Sequence, residues 1–363
     1  MAGRQPREPG FTQGIVTQHF ARSPNTFDDY DEHDGTVRSC ARQRDLVNEQ
    51  SDARDRLLPS LLPAVTIADH RRPVSRCTHQ PTGSRMLKSQ RLATLPIDSY
   101  DFDEELSIID SNDAGGEYDA FTFGSWSAHV LANSGGSDED TSFRPYEGRL
   151  ALTELGRKLP KIMSIVHDNF PLERLQWVRI FSLSDGILAP HVDFLEFSEP
   201  GTRLQIPLRT DEDSLHSEND IVYHLRRGEV WKIHTTVPHS AQSVSPFARL
   251  SLCLDFAGAD EPVEIKNSIP PELPVRIISR PSVTEAEVEE LLSSAAGLSA
   301  DTLRTSFRRF AAVHFARRAD ATAAFDWFIE AAVRTGDGAL AEKAKAFRTY
   351  CIEKRGYREA FEW

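Results

Sequence analysis

LQWVRIFSL (Leu175 to Leu183) opens a series of short segments whose reading decides the fold. RLQIPLR (Arg203 to Arg209), IVYHL (Ile221 to Leu225), EVWKIH (Glu229 to His234) and RLSLCLDF (Arg249 to Phe256) follow it. Each is rich in β-branched and aromatic residues and partly alternating, and turn residues such as Arg227-Gly228 and Ser245-Pro246 separate them. Side chains of a strand point alternately to two faces, so these runs fit half-buried pleats. Several at this spacing predict an antiparallel double sheet or barrel, of which the jelly roll is one version.

Upstream of this region, EGRLALTELGRKLPKIMSIVHDNF carries apolar residues at helical spacing, and Pro160 divides or bends it. Downstream, the strands stop at about Ala259, and the proline-rich IPPELP leads into four helical stretches. Thr284 and Glu287 have the spacing of a capping box at the first. Phe307, Phe310, Val313 and His314, and then Phe325, Phe328 and Ile329, recur at helical spacing and read as a packing face. Residues 1–85 differ: they mix Arg, Asp, Gln, Ser and Pro without an apolar period, and read as a disordered or untranslated extension, with Met86 as the alternative start. The predicted organisation is therefore this extension, a β core over 86–260 with helical elements at its start, and a helical subdomain over 261–363.

A chain of 363 residues with a 39% hydrophobic share can bury a sizeable core. The formal net charge of −13 argues against a nucleic-acid partner, because phosphate contacts need a basic face. No apolar run approaches the roughly 20 residues needed to cross a bilayer, so no membrane partner is expected. The four cysteines are scattered (Cys40, Cys77, Cys253, Cys351), which predicts reduced thiols and a cytoplasmic location. A homodimer is compatible with this composition.

The chemistry centres on His191-Val192-Asp193, followed 46 positions later by His239. An iron(II) ion that leaves three positions open takes two imidazoles and one carboxylate on one face. Alternate residues of a strand share a side, so His191 and Asp193 converge if the pair is pleated, and His239 arrives from a later strand or its end. Twelve histidines make rivals, and His216, His224 and His234 also lie in the β region. Arg249-Leu250-Ser251 forms a second feature, ten positions beyond His239. A guanidinium and a hydroxyl on one strand face suit the terminal carboxylate of a dicarboxylic cosubstrate, although an ordinary ion pair is the commoner fate of an arginine.

HVDFLEF, HSENDIVYHLRRGEVWKIHTTVPHSA and RLSLCLDF together resemble the hydroxylases of free L-proline, relatives of the aspartyl/asparaginyl β-hydroxylases among the cupin-type iron/2-oxoglutarate dioxygenases. GEYDAFTFGSWSAHV and AFDWFIEAAVRTGD extend the resemblance to nearly everything after Met86. It implies a double-stranded β-helix (jelly-roll, cupin) core with a C-terminal helical subdomain. It also implies that His191, Asp193 and His239 are the catalytic metal ligands, and that Arg249 with Ser251 holds the distal carboxylate of 2-oxoglutarate. Arg179 and Arg203 match strand positions of the family and are the cations expected for the substrate carboxylate, with His216 as a further pocket residue. Trp231 is expected in the core. The segment EFSEPGTR after the metal pair is shorter than in the proline 3-hydroxylase pattern.

The implied activity is hydroxylation of a small amino acid, L-proline or a cyclic analogue such as L-pipecolate, for a secondary metabolite. It would use Fe(II), 2-oxoglutarate and O2, with ascorbate as a supporting reductant. Two other readings keep parts of this: β-hydroxylation of Asp or Asn in a peptide, and a metal-binding cupin that senses a small acid without turnover.

Overall fold

The computed structural model describes residues 86–112, 119–138, 149–193, 201–245, 247–258, 261–355 and 359–363. The chain divides into two units, residues 1–78 and 79–363. The first unit, and with it the expected N-terminal extension 1–85, lies outside the described residues.

The strands are β1 (Gln90–Thr94), β2 (Thr122–Asn133), β3 (Ala151–Leu152), β4 (Leu175–Leu188), β5 (Gly201–Arg209), β6 (Ser214–Glu218), β7 (Ile221–His224), β8 (Glu229–Lys232), β9 (His239–Ser243), β10 (Arg249–Ala257) and β11 (Arg276–Ile277). All pair antiparallel, in the order β1-β8-β5-β10-β4-β9-β6-β7-β11, and β2 lies along the other edge of β4 with β3 beside it. Long β4 joins the two halves. Its first part pairs with β10, from Leu175 opposite Phe256 to Leu183 opposite Arg249, and past the bend at Asp185-Gly186 it pairs with β9. Gly124 makes the bend possible: a Cβ there would lie 2.3 Å from the Asp185 carbonyl oxygen, and its φ of +128° is one that only glycine adopts at little cost. The result is a sheet curled into the half-barrel of a jelly roll, as the segment pattern predicts.

Two apolar clusters flank this sheet. One joins β4, β5 and β10, through Ile180, Ile206 and Leu252, to α1 (Asp103–Ser111), α2 (Glu154–Lys158) and α3 (Pro160–Asn169). Pro160 is the first residue of α3, where its missing N–H costs nothing, so it starts a helix instead of bending one. The residues ahead of it form β3 and the single turn α2. Buried Glu105 caps α3 by accepting from the Lys161 and Ile162 amides at 2.8 and 2.8 Å.

The second cluster joins Phe121, Phe123, Ile187, Ala189 and Val222 to α4 (Glu285–Ser294), α5 (Ala300–Ala316), α6 (Ala323–Arg334) and α7 (Gly338–Arg348). The capping box of Thr284 and Glu287 is formed. Phe307, Phe310, His314, Phe325 and Phe328 are buried along the expected face, while Val313 and Ile329 are half-buried. His314 ties α5 to the sheet through Ser217 Oγ at 2.9 Å. A π-helical turn, Thr349–Glu353, follows α7. Trp231 is fully buried. Among the described residues no helix is long and apolar enough to cross a membrane.

Candidate metal centre and pocket

β4 stops at Leu188, and the chain then runs Ala189-Pro190-His191-Val192-Asp193 outside any regular strand. That differs from the pleated pair expected, because Pro190 cannot donate to a ladder. His191 instead makes an isolated bridge with His239, the first residue of β9, through two backbone hydrogen bonds of 2.9 and 2.9 Å. Two further amides pin the segment: Val192 N–H donates to the Cys351 carbonyl and Asp193 N–H to the Thr235 carbonyl, each at 3.0 Å. His191 and Asp193 nevertheless converge with His239, without a ladder.

The three side chains meet. One ligand atom from each of His191, Asp193 and His239 lies within 4.8 Å of the others. His191 Nε2 is 3.5 Å from Asp193 Oδ1, and His239 Nε2 is 3.9 Å from Asp193 Oδ2. Each ring turns Nδ1 to the carbonyl two residues earlier, His191 to Ala189 at 2.9 Å and His239 to Val237 at 3.0 Å. A carbonyl only accepts, so Nδ1 carries the proton and Nε2 presents its lone pair towards the carboxylate. Two such imidazoles and one carboxylate fit a ferrous ion with open positions. Phe121 packs against His191, ring centres 4.6 Å apart.

The rival histidines are engaged elsewhere. His224 Nδ1 meets the Ser214 carbonyl at 2.9 Å, His234 Nδ1 meets Thr236 Oγ1 at 3.2 Å, and His216 Nε2 meets Arg249 Nη2 at 2.6 Å. Among the described residues His191, Asp193 and His239 are the one group placed to hold a metal.

The triad forms one wall of a pocket of about 600 Å3 counting its mouth. Trp126, Phe181, Leu183 and Ile233 supply apolar surface, and Arg203, Gln205, His216, Thr235 and Arg249 supply polar groups. Arg249 is 7% exposed, and burial holds its guanidinium down at about 10. A guanidinium only donates, so His216 Nε2 is the acceptor and its imidazole is neutral. Burial first, and then the Arg249 charge, push His216 well below the ordinary histidine range. Two donors beside this pair, Arg249 Nη1 and the fully buried Ser251 Oγ, have no hydrogen-bond partner among the described residues. Unpaired buried donors are costly, and an anion's oxygens are what satisfies them.

Arg179 and Arg203 are differently placed from each other. Arg203 lines the pocket, whereas Arg179 is 1% exposed and stands over the rings of Trp177 and Phe181, at 5.7 and 5.0 Å. Both donate to Asp255, a fully buried residue of β10 to which the sequence gives no role. The link is cross-strand: Arg203 on β5 stands opposite Asp255, and Arg179 on β4 stands opposite Cys253, two residues away. Arg203 Nη1 also donates to Asp193 Oδ2 at 2.8 Å. Gln205 is a further missed residue. Two places along β5 from Arg203, it lines the pocket, and its Oε1 is buried without a partner among the described residues. Of the segment EFSEPGTR, expected to be shorter than in the proline 3-hydroxylase pattern, residues 196–200 lie outside the described residues, and Gly201, Thr202 and Arg203 begin β5.

Comparison with known proteins matches residues 99–258 to the aspartyl/asparaginyl beta-hydroxylase family and residues 263–359 to the C-terminal L-proline 3-hydroxylase family. The L-proline cis-4-hydroxylase of Rhizobium meliloti (strain 1021) is 28% identical over 274 residues, 75% of this chain and 97% of the relative. Two L-proline cis-3-hydroxylases of Streptomyces sp are also similar. One is 29% identical over 254 residues and the other 31% over 259, each alignment covering 68% of this chain and 88% of the relative.

Proposed function

The chain belongs to the L-proline hydroxylase family, and from that premise we propose that it hydroxylates free L-proline, or a close cyclic analogue such as L-pipecolate, using iron(II) and 2-oxoglutarate. The observation that carries this reading is the closeness of two sites: the convergent His191, Asp193 and His239 share a pocket with Arg249, and Arg249 Nη1 and Ser251 Oγ, two places apart along β10, are buried donors without a partner among the described residues. A ferrous ion with 2-oxoglutarate and O2 supplies the oxidising power to replace a C–H bond by C–OH, as the keto acid becomes succinate and carbon dioxide.

The protein's own part is to hold and orient. His191, Asp193 and His239 bind the ion, and the Nδ1–H bonds to Ala189 and Val237 fix both rings. Arg249 Nη1 and Ser251 Oγ take the far carboxylate of 2-oxoglutarate, and His216 holds Arg249 in place for it. His216 thereby serves the cosubstrate and not the amino acid. Arg203 is the cation beside the metal carboxylate and receives the carboxylate of the amino acid; Arg179 supports it through Asp255. Trp126, Phe181, Leu183 and Ile233 line the pocket with apolar surface suited to a saturated ring and to excluding water. The hydroxylated product serves as a building block of a secondary metabolite, and ascorbate supports turnover by keeping iron reduced.

The test is succinate release with iron(II), ascorbate and 2-oxoglutarate across a panel of free amino acids and Asp- or Asn-containing peptides, with product identification. Succinate matched by hydroxylated proline or pipecolate is expected. Turnover with the peptides alone would move the activity to side-chain β-hydroxylation, and succinate at the uncoupled background with every candidate would leave a sensor.

A further inference from the structure

Asp255 is 0% exposed, and it holds two arginines and touches no ligand atom of the triad. Its Oδ1 accepts from Arg203 Nε at 2.8 Å, and its Oδ2 accepts from Arg203 Nη2 at 3.4 Å and from Arg179 Nη2. The Cys253 thiol lies 4.0 Å from Oδ1. Fork-to-fork pairing of this kind fixes the plane of a guanidinium, and here it leaves Arg203 Nη1 directed at Asp193 Oδ2, 2.8 Å away. Asp193 itself stands beyond the end of β4, where no ladder sets its direction.

We propose that Asp255 is a positioning residue for the metal centre: it clamps Arg203, and Arg203 turns the Asp193 carboxylate towards the two imidazoles. The inference rests on the proposed function, since it concerns the same ion. Arg203 donates to both Asp255 and Asp193, so one guanidinium ties the two carboxylates together in a setting where screening is weak. The geometry needs an arginine. A lysine at 203 keeps the charge but cannot span Asp255 and Asp193 with three fixed donors. Arg179 completes the clamp from β4, so Asp255 is held from both neighbouring strands.

The test uses Mn(II), a redox-inert probe, titrated into the full chain and followed by the electron paramagnetic resonance of the free ion. Wild type, Asp193→Ala, Asp255→Asn and Arg203→Lys are compared, with circular dichroism and melting curves alongside. Wild type is expected to bind one Mn(II) and Asp193→Ala none. Asp255→Asn and Arg203→Lys should each weaken binding about 10- to 100-fold, the usual effect of losing a partner behind a ligand. A merely structural Asp255 would lower the melting temperature and leave Mn(II) affinity alone. Affinity within about 2-fold of wild type in a folded variant therefore overturns the proposal while the metal site stands. Where Asp255→Asn does not fold, Arg203→Lys gives the same reading. Absence of Mn(II) binding by wild type takes down both this proposal and the function on which it rests.

Discussion

Replacing Arg249 with methionine should separate stability from cosubstrate binding. The guanidinium is 7% exposed, its pKa is drawn down from the ordinary arginine value to about 10, and the largest cause is burial. That difference corresponds to roughly 3 kcal/mol of unfavourable burial in the ligand-free protein. Its contacts offset little of this: His216 accepts one bond and Nη1 has no partner among the described residues. An apolar side chain of similar length removes the cost, so the ligand-free Arg249→Met variant should melt at or above the wild-type temperature. Affinity for 2-oxoglutarate moves the other way. One charge-assisted bond to the distal carboxylate is worth about 1.5–3 kcal/mol, or roughly 10- to 150-fold in dissociation constant. Anaerobic calorimetry with Mn(II) in place of iron measures that constant, and a melting curve without 2-oxoglutarate measures the rest. A destabilised variant that binds 2-oxoglutarate within about 3-fold of wild type would refute the reasoning and make Arg249 a structural residue.

His239→Ala should abolish product-coupled succinate release while leaving the fold intact by circular dichroism, because His239 Nε2 faces Asp193 at the pocket wall; hydroxylated product at a tenth of the wild-type rate or more would contradict it. His129 and His314 stay neutral when folded, with burial lowering them to about 4 and about 3. Below the ordinary histidine value of 6.5 the unfolded chain therefore holds more protons than the folded one, and stability falls as pH drops from 6.5 towards 4. The slope is up to about 1.4 kcal/mol per pH unit for each histidine. Urea midpoints that stay level between pH 7 and pH 5 would contradict this. Phe307 is fully buried against the rings of Phe325, Phe328 and Phe347, all at 5.0 Å, so Phe307→Ala should cost about 3–5 kcal/mol by urea denaturation. A loss under about 1 kcal/mol would mean that the helices pack otherwise.

Segments that alternate or repeat strongly were readable in the sequence. β4, β5, β7, β8 and β10 each fall within a few residues of the expected runs, and the capping box at Thr284 marks the start of α4. β6 (SLHSE) and β9 (HSAQS) carry little β-forming character, and the sheet around them, not local propensity, makes them strands. The candidate metal triad was legible as residue types at a spacing, but its support was not. Pro190 breaks the ladder, and the bridge from His191 to His239 and the amide bond from Val192 to Cys351 join positions far apart in the chain. Asp255 shows the limit most clearly. It sits on the same strand face as Arg249 and Ser251, yet its value lies in cross-strand register with β4 and β5, which one chain read in order does not display.

Anomalous diffraction at the iron edge, from anaerobic crystals grown with iron(II) and 2-oxoglutarate, addresses the central claim most directly. The account predicts one iron peak per chain, bonded to His191 Nε2, His239 Nε2 and an Asp193 carboxylate oxygen, with the keto acid running from it to Arg249. An iron peak bonded to other side chains, or a keto acid whose far carboxylate avoids Arg249, would contradict it.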